Sequence, residues 1–210
     1  SSSGWENKVE MGKGRSAGIE FMAQKTAGKT TGWLSYTLSK SDRKFTKGGI
    51  NNGEWFPYKY DRRHSINLTI NHKFSDRIDI GASWVFYTGG TSTIPEEKTT
   101  VIRPHNGANN GFLWYGTYDN TNSSPTIGDV SYIEHRNNFR LPASHRLNLG
   151  VNFNKKTKHG MRTWNISLYN AYNAMNPAWV YRGHNKQGLS VIKKYTLLPL
   201  IPSFTYTYKF

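Results

Sequence analysis

Seven times along this chain apolar and polar residues alternate one by one, a period that puts successive side chains on opposite faces of an extended strand. In the clearest run Ile66, Leu68, Ile70 and Phe74 alternate with Asn67, Thr69, Asn71 and Lys73; the next sets Ile78, Ile80, Ala82, Trp84 and Phe86 against Asp79, Gly81, Ser83 and Tyr87. The pattern recurs around Ile19, Tyr36, Leu149, Ile166 and Tyr206, and almost nowhere does a helical period survive for three turns. The alternation predicts an all-β fold with strands at roughly 15–26, 31–42, 62–74, 78–90, 144–155, 161–173 and 200–210.

The connections between these strands alternate between short (27–30, 75–77, 156–160) and long (43–61, 91–143, 174–199). Strands of about 9 to 13 residues with tight turns at one end and long loops at the other are the grammar of an outer-membrane β-barrel. A face of Asn, Thr, Ser and Lys cannot form a dry core, because each unpaired buried polar group costs about 2–7 kcal/mol; it suits a wet or plugged lumen. The opposite face suits lipid, and Trp84, Tyr87, Trp164, Tyr172 and Tyr206 near strand ends suit interfacial girdles. Bacterial single-chain barrels have an even number of strands, so seven cannot close alone. The expected fold is therefore the C-terminal seven or so antiparallel strands of a larger transmembrane β-barrel, incomplete on its own, with the missing strands upstream because the chain ends on an aromatic, Phe210.

Composition narrows the chemistry. With no cysteine, disulfide scaffolds, thiolate zinc sites, iron–sulfur clusters and cysteine nucleophiles are excluded. No stretch approaches the roughly 20 apolar residues of a spanning helix. The formal charge of +15, from 28 Lys+Arg against 13 Asp+Glu, invites a nucleic-acid reading, but the cations are spread over turns and segment ends rather than gathered on one face. Seven Trp, 13 Tyr and 10 Phe argue against disorder.

Four segments together resemble the C-terminal part of a TonB-dependent outer-membrane receptor of the type common in Bacteroidetes. They are Tyr60-Asp61-Arg62-Arg63-His64-Ser65, the run from Arg140 to Leu149, Trp164 to Asn173 followed by Asn176-Pro177, and the ending from Pro199 to Phe210. The resemblance implies a barrel of about 22 strands plugged by an N-terminal domain, the whole importing a glycan, peptide, metal chelate or cobalamin. It also implies TonB as partner through the missing N-terminal part, outer-membrane lipid around the wall, a surface lipoprotein on the loops, and Phe210 as an assembly signal. The expected location is the bacterial outer membrane, with no enzymatic activity, no cofactor or metal and no nucleic-acid partner.

Ligand contacts are expected in the outer loops. Phe112, Trp114, Tyr115 and Tyr118 form a dense aromatic cluster beside Asn109-Asn110-Gly111, and Trp55 and Tyr58 stand in the 43–61 loop. Rings with adjacent amides suit stacking on sugars, peptides or planar chelates. Arg62, Arg63 and Arg146 lie where long loops enter strands, near the outer rim, where long cations reach toward headgroups. His64 with Ser65, and Ser144 with His145, fall on opposite faces of their strands, so neither pair can activate a serine. A passive porin or adhesin-like barrel, and a soluble basic β-rich binding module, are the competing readings.

Overall fold

The computed structural model describes residues 9–45, 49–103 and 126–210 and is all-β. Its long strands are β1 (Gly12–Lys25), β2 (Thr30–Phe45), β4 (His64–Lys73), β5 (Ile78–Tyr87), β10 (Ser144–Thr157), β11 (Gly160–Tyr169) and β14 (Ile201–Lys209). The two-residue strand β3 (Phe56–Pro57) pairs with the loop end of β2. They form one large antiparallel sheet in the order β1-β2-β4-β5-β10-β11-β14, each long strand beside its sequence neighbour among the seven. Among the described residues β1 and β14 each have a single partner, and the path does not return on itself. No helix among them is long and apolar enough to cross a membrane.

All seven alternating runs are strands of this sheet. The long connections hold more structure than the sequence suggests. Between β5 and β10, β6 (Thr91–Ser92) pairs with β9 (Phe139–Arg140), and β7 (Glu97–Arg103) with β8 (Thr126–Tyr132). Between β11 and β14, β12 (Pro177–His184) and β13 (Ser190–Thr196) form a hairpin around a turn that needs Gly188 at φ 77. The missed hairpin had a signal: Trp179, Val180 and Tyr181 before the turn, Val191 and Ile192 after it.

Cross-strand register sorts the side chains onto two faces. On one, Leu34, Leu68, Trp84, Leu147 and their neighbours stand side by side; on the other, Ser35, Asn67, Val85 and Arg146. Tyr87 belongs to the polar face, beneath the Arg62 guanidinium at 4.0 Å, so it does not join the aromatic rows of the apolar face. The only buried apolar side chains among the described residues are Phe56 and Ile94, both in the loops. The apolar face itself is open: Ile19 is 73% exposed, Phe204 65%, Ile166 49% and Phe153 42%.

That arrangement has an energetic consequence. Fully burying a large apolar side chain stabilises by about 1.5–3 kcal/mol, so about a dozen left roughly half exposed forfeit about 10–15 kcal/mol, comparable with the 5–15 kcal/mol that typically separates folded from unfolded chains. The sheet needs a non-aqueous neighbour on this face.

Two rows of rings bound the face. At the loop end Tyr36 stacks on His64 and donates to or accepts from its Nδ1 at 2.9 Å, Trp84 stacks on Phe86, and Tyr172 bonds both His145 Nδ1 (2.8 Å) and Trp84 Nε1 (3.1 Å). At the turn end His72 meets Phe74 edge-on, and Trp164 lies 4.5 Å from Tyr206. His64 and His72, His145 and Phe153, and Tyr172 and Trp164 are each eight positions apart. Eight residues of strand span about 26 Å, or about 20 Å at the tilt usual in barrels. Between the rows the apolar face carries one charged side chain among the described residues, Lys25 at the turn end of β1, which faces Gly32 and is level with Ile70.

Asn176, which exchanges two hydrogen bonds with the His145 backbone, and the more deeply buried Asn170 both anchor the third long loop. Asn170, only 1% exposed and at φ 53, donates from Nδ2 to the carbonyls of Ala174 (3.0 Å) and Leu198 (3.1 Å) and accepts from the Ala174 N–H (2.8 Å). Asn170→Ala should lower stability by about 2–4 kcal/mol, combining a disfavoured left-handed backbone with orphaned polar groups. Asn170→Gly relaxes the backbone and loses the same bonds, so it should fall between Ala and wild type in chemical denaturation of the whole protein. Identical midpoints for all three would show that the amide holds nothing.

Candidate functional site

Alternation places an almost unbroken array of hydroxyls and amides on the polar face, and register brings them into lateral contact. Asp79 accepts from Asn152 Nδ2 (2.6 Å) and Asn154 Nδ2 (2.7 Å); Asn152 Oδ1 accepts from Asn165 Nδ2 and Asn154 Oδ1 from the Thr163 hydroxyl, each at 2.7 Å. The result is a hydrogen-bonded belt across β5, β10 and β11. Nearer the loops Arg146 lies 4.3 Å over the Tyr169 ring and donates to its hydroxyl, and Asn148 Oδ1 accepts from the Asn170 N–H. Arg146 Nε is buried without a hydrogen-bond partner among the described residues. Such a face offers donors and acceptors to water or a polar solute and contains no arranged nucleophile.

Above it, the first two long loops share a base. Asp61, 1% exposed, accepts from the Ser41 N–H (2.7 Å), Arg140 Nη2 (2.6 Å) and Arg63 Nε (3.2 Å), while Arg140 Nη1 also donates to the carbonyls of Asp61 and Gly89. Burial alone would push the Asp61 carboxyl up, but the Arg140 and Ser41 hydrogen bonds and the Arg63 charge together hold it below the ordinary carboxylate range. Asn51 exchanges two hydrogen bonds with the backbone of Arg136, and Asn137 Nδ2 donates to the Pro57 carbonyl. The clasps join residues some eighty positions apart in sequence.

The expected ligand contacts do not come together as one site. Trp55 lies 4.3 Å beneath the Arg15 guanidinium, which shares a face with Ile19, whereas Tyr58 lies 4.0 Å beneath Arg43, which shares a face with Ser39 and Ser41. Phe112, Trp114, Tyr115 and Tyr118 lie outside the described residues, as does His105. Phe210 follows β14 fully exposed. Arg63 is paired with Asp61 and Arg62 covers Tyr87, and Arg146 stands on the polar face rather than reaching outward. His64 and His145 bond tyrosine hydroxyls on the apolar face, away from Ser65 and Ser144.

Two groupings escaped the sequence reading. Trp179 and Tyr195, opposite each other in the β12–β13 hairpin, stack at 4.3 Å and 10°, with Tyr181 beside them, all about half exposed. Glu96, Glu134 and His135 bring ligating atoms within 4.8 Å of one another. There His135 Nδ1 lies 3.6 Å from Glu96 Oε1, which also accepts from Asn138 Nδ2. No family model matches the chain, and neither a curated protein nor a solved structure matches it.

The clasp has a pH signature. Because the native Asp61 pKa is lowered, its contribution is complete above the ordinary aspartate value of about 4 and is lost as pH falls through the native value. Asp61→Asn should make limited proteolysis of the 43–61 and 91–143 segments several-fold faster at neutral pH and abolish the acid-dependent step. A variant as resistant as wild type at every pH would show that the loops are held elsewhere.

Proposed function

We propose that this chain is the C-terminal wall segment of a large plugged outer-membrane barrel, a TonB-dependent transporter that imports a scarce or bulky nutrient. One observation carries the membrane reading: an apolar face left open across seven strands, with Lys25 at the turn end of β1 as its single charge between two rows of rings about 20 Å apart. A soluble module would have to cover that face with its own core. The two strands with a single partner supply the edges on which the other strands of a closed barrel would pair, because lipid leaves no backbone group unsatisfied.

Transport by energy coupling rests on the resemblance of the Tyr60–Ser65, Arg140–Leu149, Trp164–Asn173 and Pro199–Phe210 segments. The polar belt supports it to the extent that it offers a hydrated or plug-contacting lumen wall. A passive porin would use the same wall, so the distinction lies in the energy source. The aromatic hairpin Trp179–Tyr195 joins Trp55, Tyr58 and the Phe112–Tyr118 cluster among the loop surfaces available to a ligand.

Absence of cysteine makes the membrane reading directly testable. With a bimane label on single-cysteine variants of the whole protein in bilayers, Ile166→Cys and Leu68→Cys should be quenched by lipid carrying a spin label, and Asn165→Cys and Asn67→Cys should not. Equal quenching of both sets would overturn the assignment. Uptake through the intact protein should also stop when a protonophore collapses the inner-membrane gradient, whereas continued uptake would identify a passive pore.

A further inference from the structure

Beyond the loop-end row of rings the apolar face turns abruptly basic. Continuing from Ile19 and Leu38, the facing pairs are Ala17 with Lys40, Arg15 with Asp42 and Lys13 with Lys44. Like charges directly opposite each other on a sheet destabilise it, yet Lys13 and Lys44 are placed so. The one carboxylate on this face of the two strands, Asp42, is buried and already engaged by Arg15 Nη2 at 2.9 Å and Lys40 Nζ at 3.5 Å. Four cations against one carboxylate leave a surplus of three positive charges. Arg15 and Lys40 remain about half exposed, and Trp55 stiffens the patch by packing flat against the Arg15 guanidinium.

We propose that this surface binds the phosphorylated sugar headgroup of a glycolipid in the surrounding leaflet. The inference rests on the membrane reading above and adds a specific lipid to it. Position selects a lipid, because the patch directly continues the face assigned to the bilayer. Charge selects phosphate, which ammonium and guanidinium groups bind through short charge-assisted hydrogen bonds. Height selects a sugar headgroup. Lys40 to Lys44 covers about 13 Å of strand, or about 10 Å when tilted, whereas one interfacial layer of a bilayer is only about 5–8 Å deep. The ligand must therefore carry anions at more than one depth.

The test is mass spectrometry of glycolipid retained by the whole protein extracted from the outer membrane in mild detergent. Lys13→Gln/Lys40→Gln/Lys44→Gln should retain about fivefold less per protein than wild type, with folding verified by unchanged heat-modifiable migration. Lys44→Gln alone, least disruptive to Asp42, should show a smaller loss in the same direction. A turn-end control, Lys155→Gln/Lys156→Gln/Lys158→Gln, should retain the wild-type amount. Unchanged retention in the folded loop-end variants, an equal loss in the control, or stripping of the lipid by excess inorganic phosphate would each overturn the proposal. Insertion in the membrane with unchanged retention rejects the lipid assignment alone, whereas recovery of the wild-type protein in the soluble fraction rejects the membrane reading with it.

Discussion

Among the described residues no layer packs on the apolar face of the sheet, and the rest of the structure depends on that. A soluble sheet draws its stability from the layer it buries against. Here the strands satisfy their backbone groups laterally, and the side chains that would make a core stand open instead. Hydrogen bonds contribute only about 1 kcal/mol each net in water but far more where water is excluded, so the membrane placement proposed above would strengthen this sheet. The same constraint explains why the opposite face can be largely polar: its amides and hydroxyls bond one another across strands through Asp79, Asn152 and Asn165.

Without a core to hold them, the loops are fixed by polar clasps. Burying a charge is unfavourable unless its lone pairs are filled, and Asp61 fills them with two arginines and a backbone amide. Asn51, Asn137, Asn138 and Asn170 do the same with neutral amides, each matching backbone donors and acceptors that no regular strand satisfies. Loops held this way can vary at their exposed residues without disturbing the sheet.

The wall was legible because period two is a local signal: Ile66 to Lys73 announces both its faces within eight residues, and its neighbours must match it in register. Resolving the polar and apolar sets also separated His64 from Ser65 and His145 from Ser144 before any coordinates. The clasps were not legible, since nothing near Asp61 in sequence names Arg140 as its partner. Nor did the position of Arg146 near a loop reveal its face, although the alternation with Leu147 did. The hairpin at Trp179 and Tyr195 was hidden by its short strands, in which Pro177 and Gly183 weaken the pattern.

Charge placement ties these strands of argument together. A cation on the lipid face of a barrel costs about 2–4 kcal/mol at the bilayer midplane and about 0–1 kcal/mol near the interfaces. On this sheet the apolar face carries only Lys25, at the turn end of β1, between the rings, and its other cations stand past them, Lys155 and Arg162 at the turn end and Lys40, Arg15, Lys13 and Lys44 at the loop end. A nucleic-acid surface would gather cations into one stripe, whereas on this face of the sheet they stand mainly at its two ends. That division is what the depth-dependent cost of charge would impose on the membrane wall proposed above, and facing cations mark both ends, Lys155 opposite Arg162 at one and Lys13 opposite Lys44 at the other.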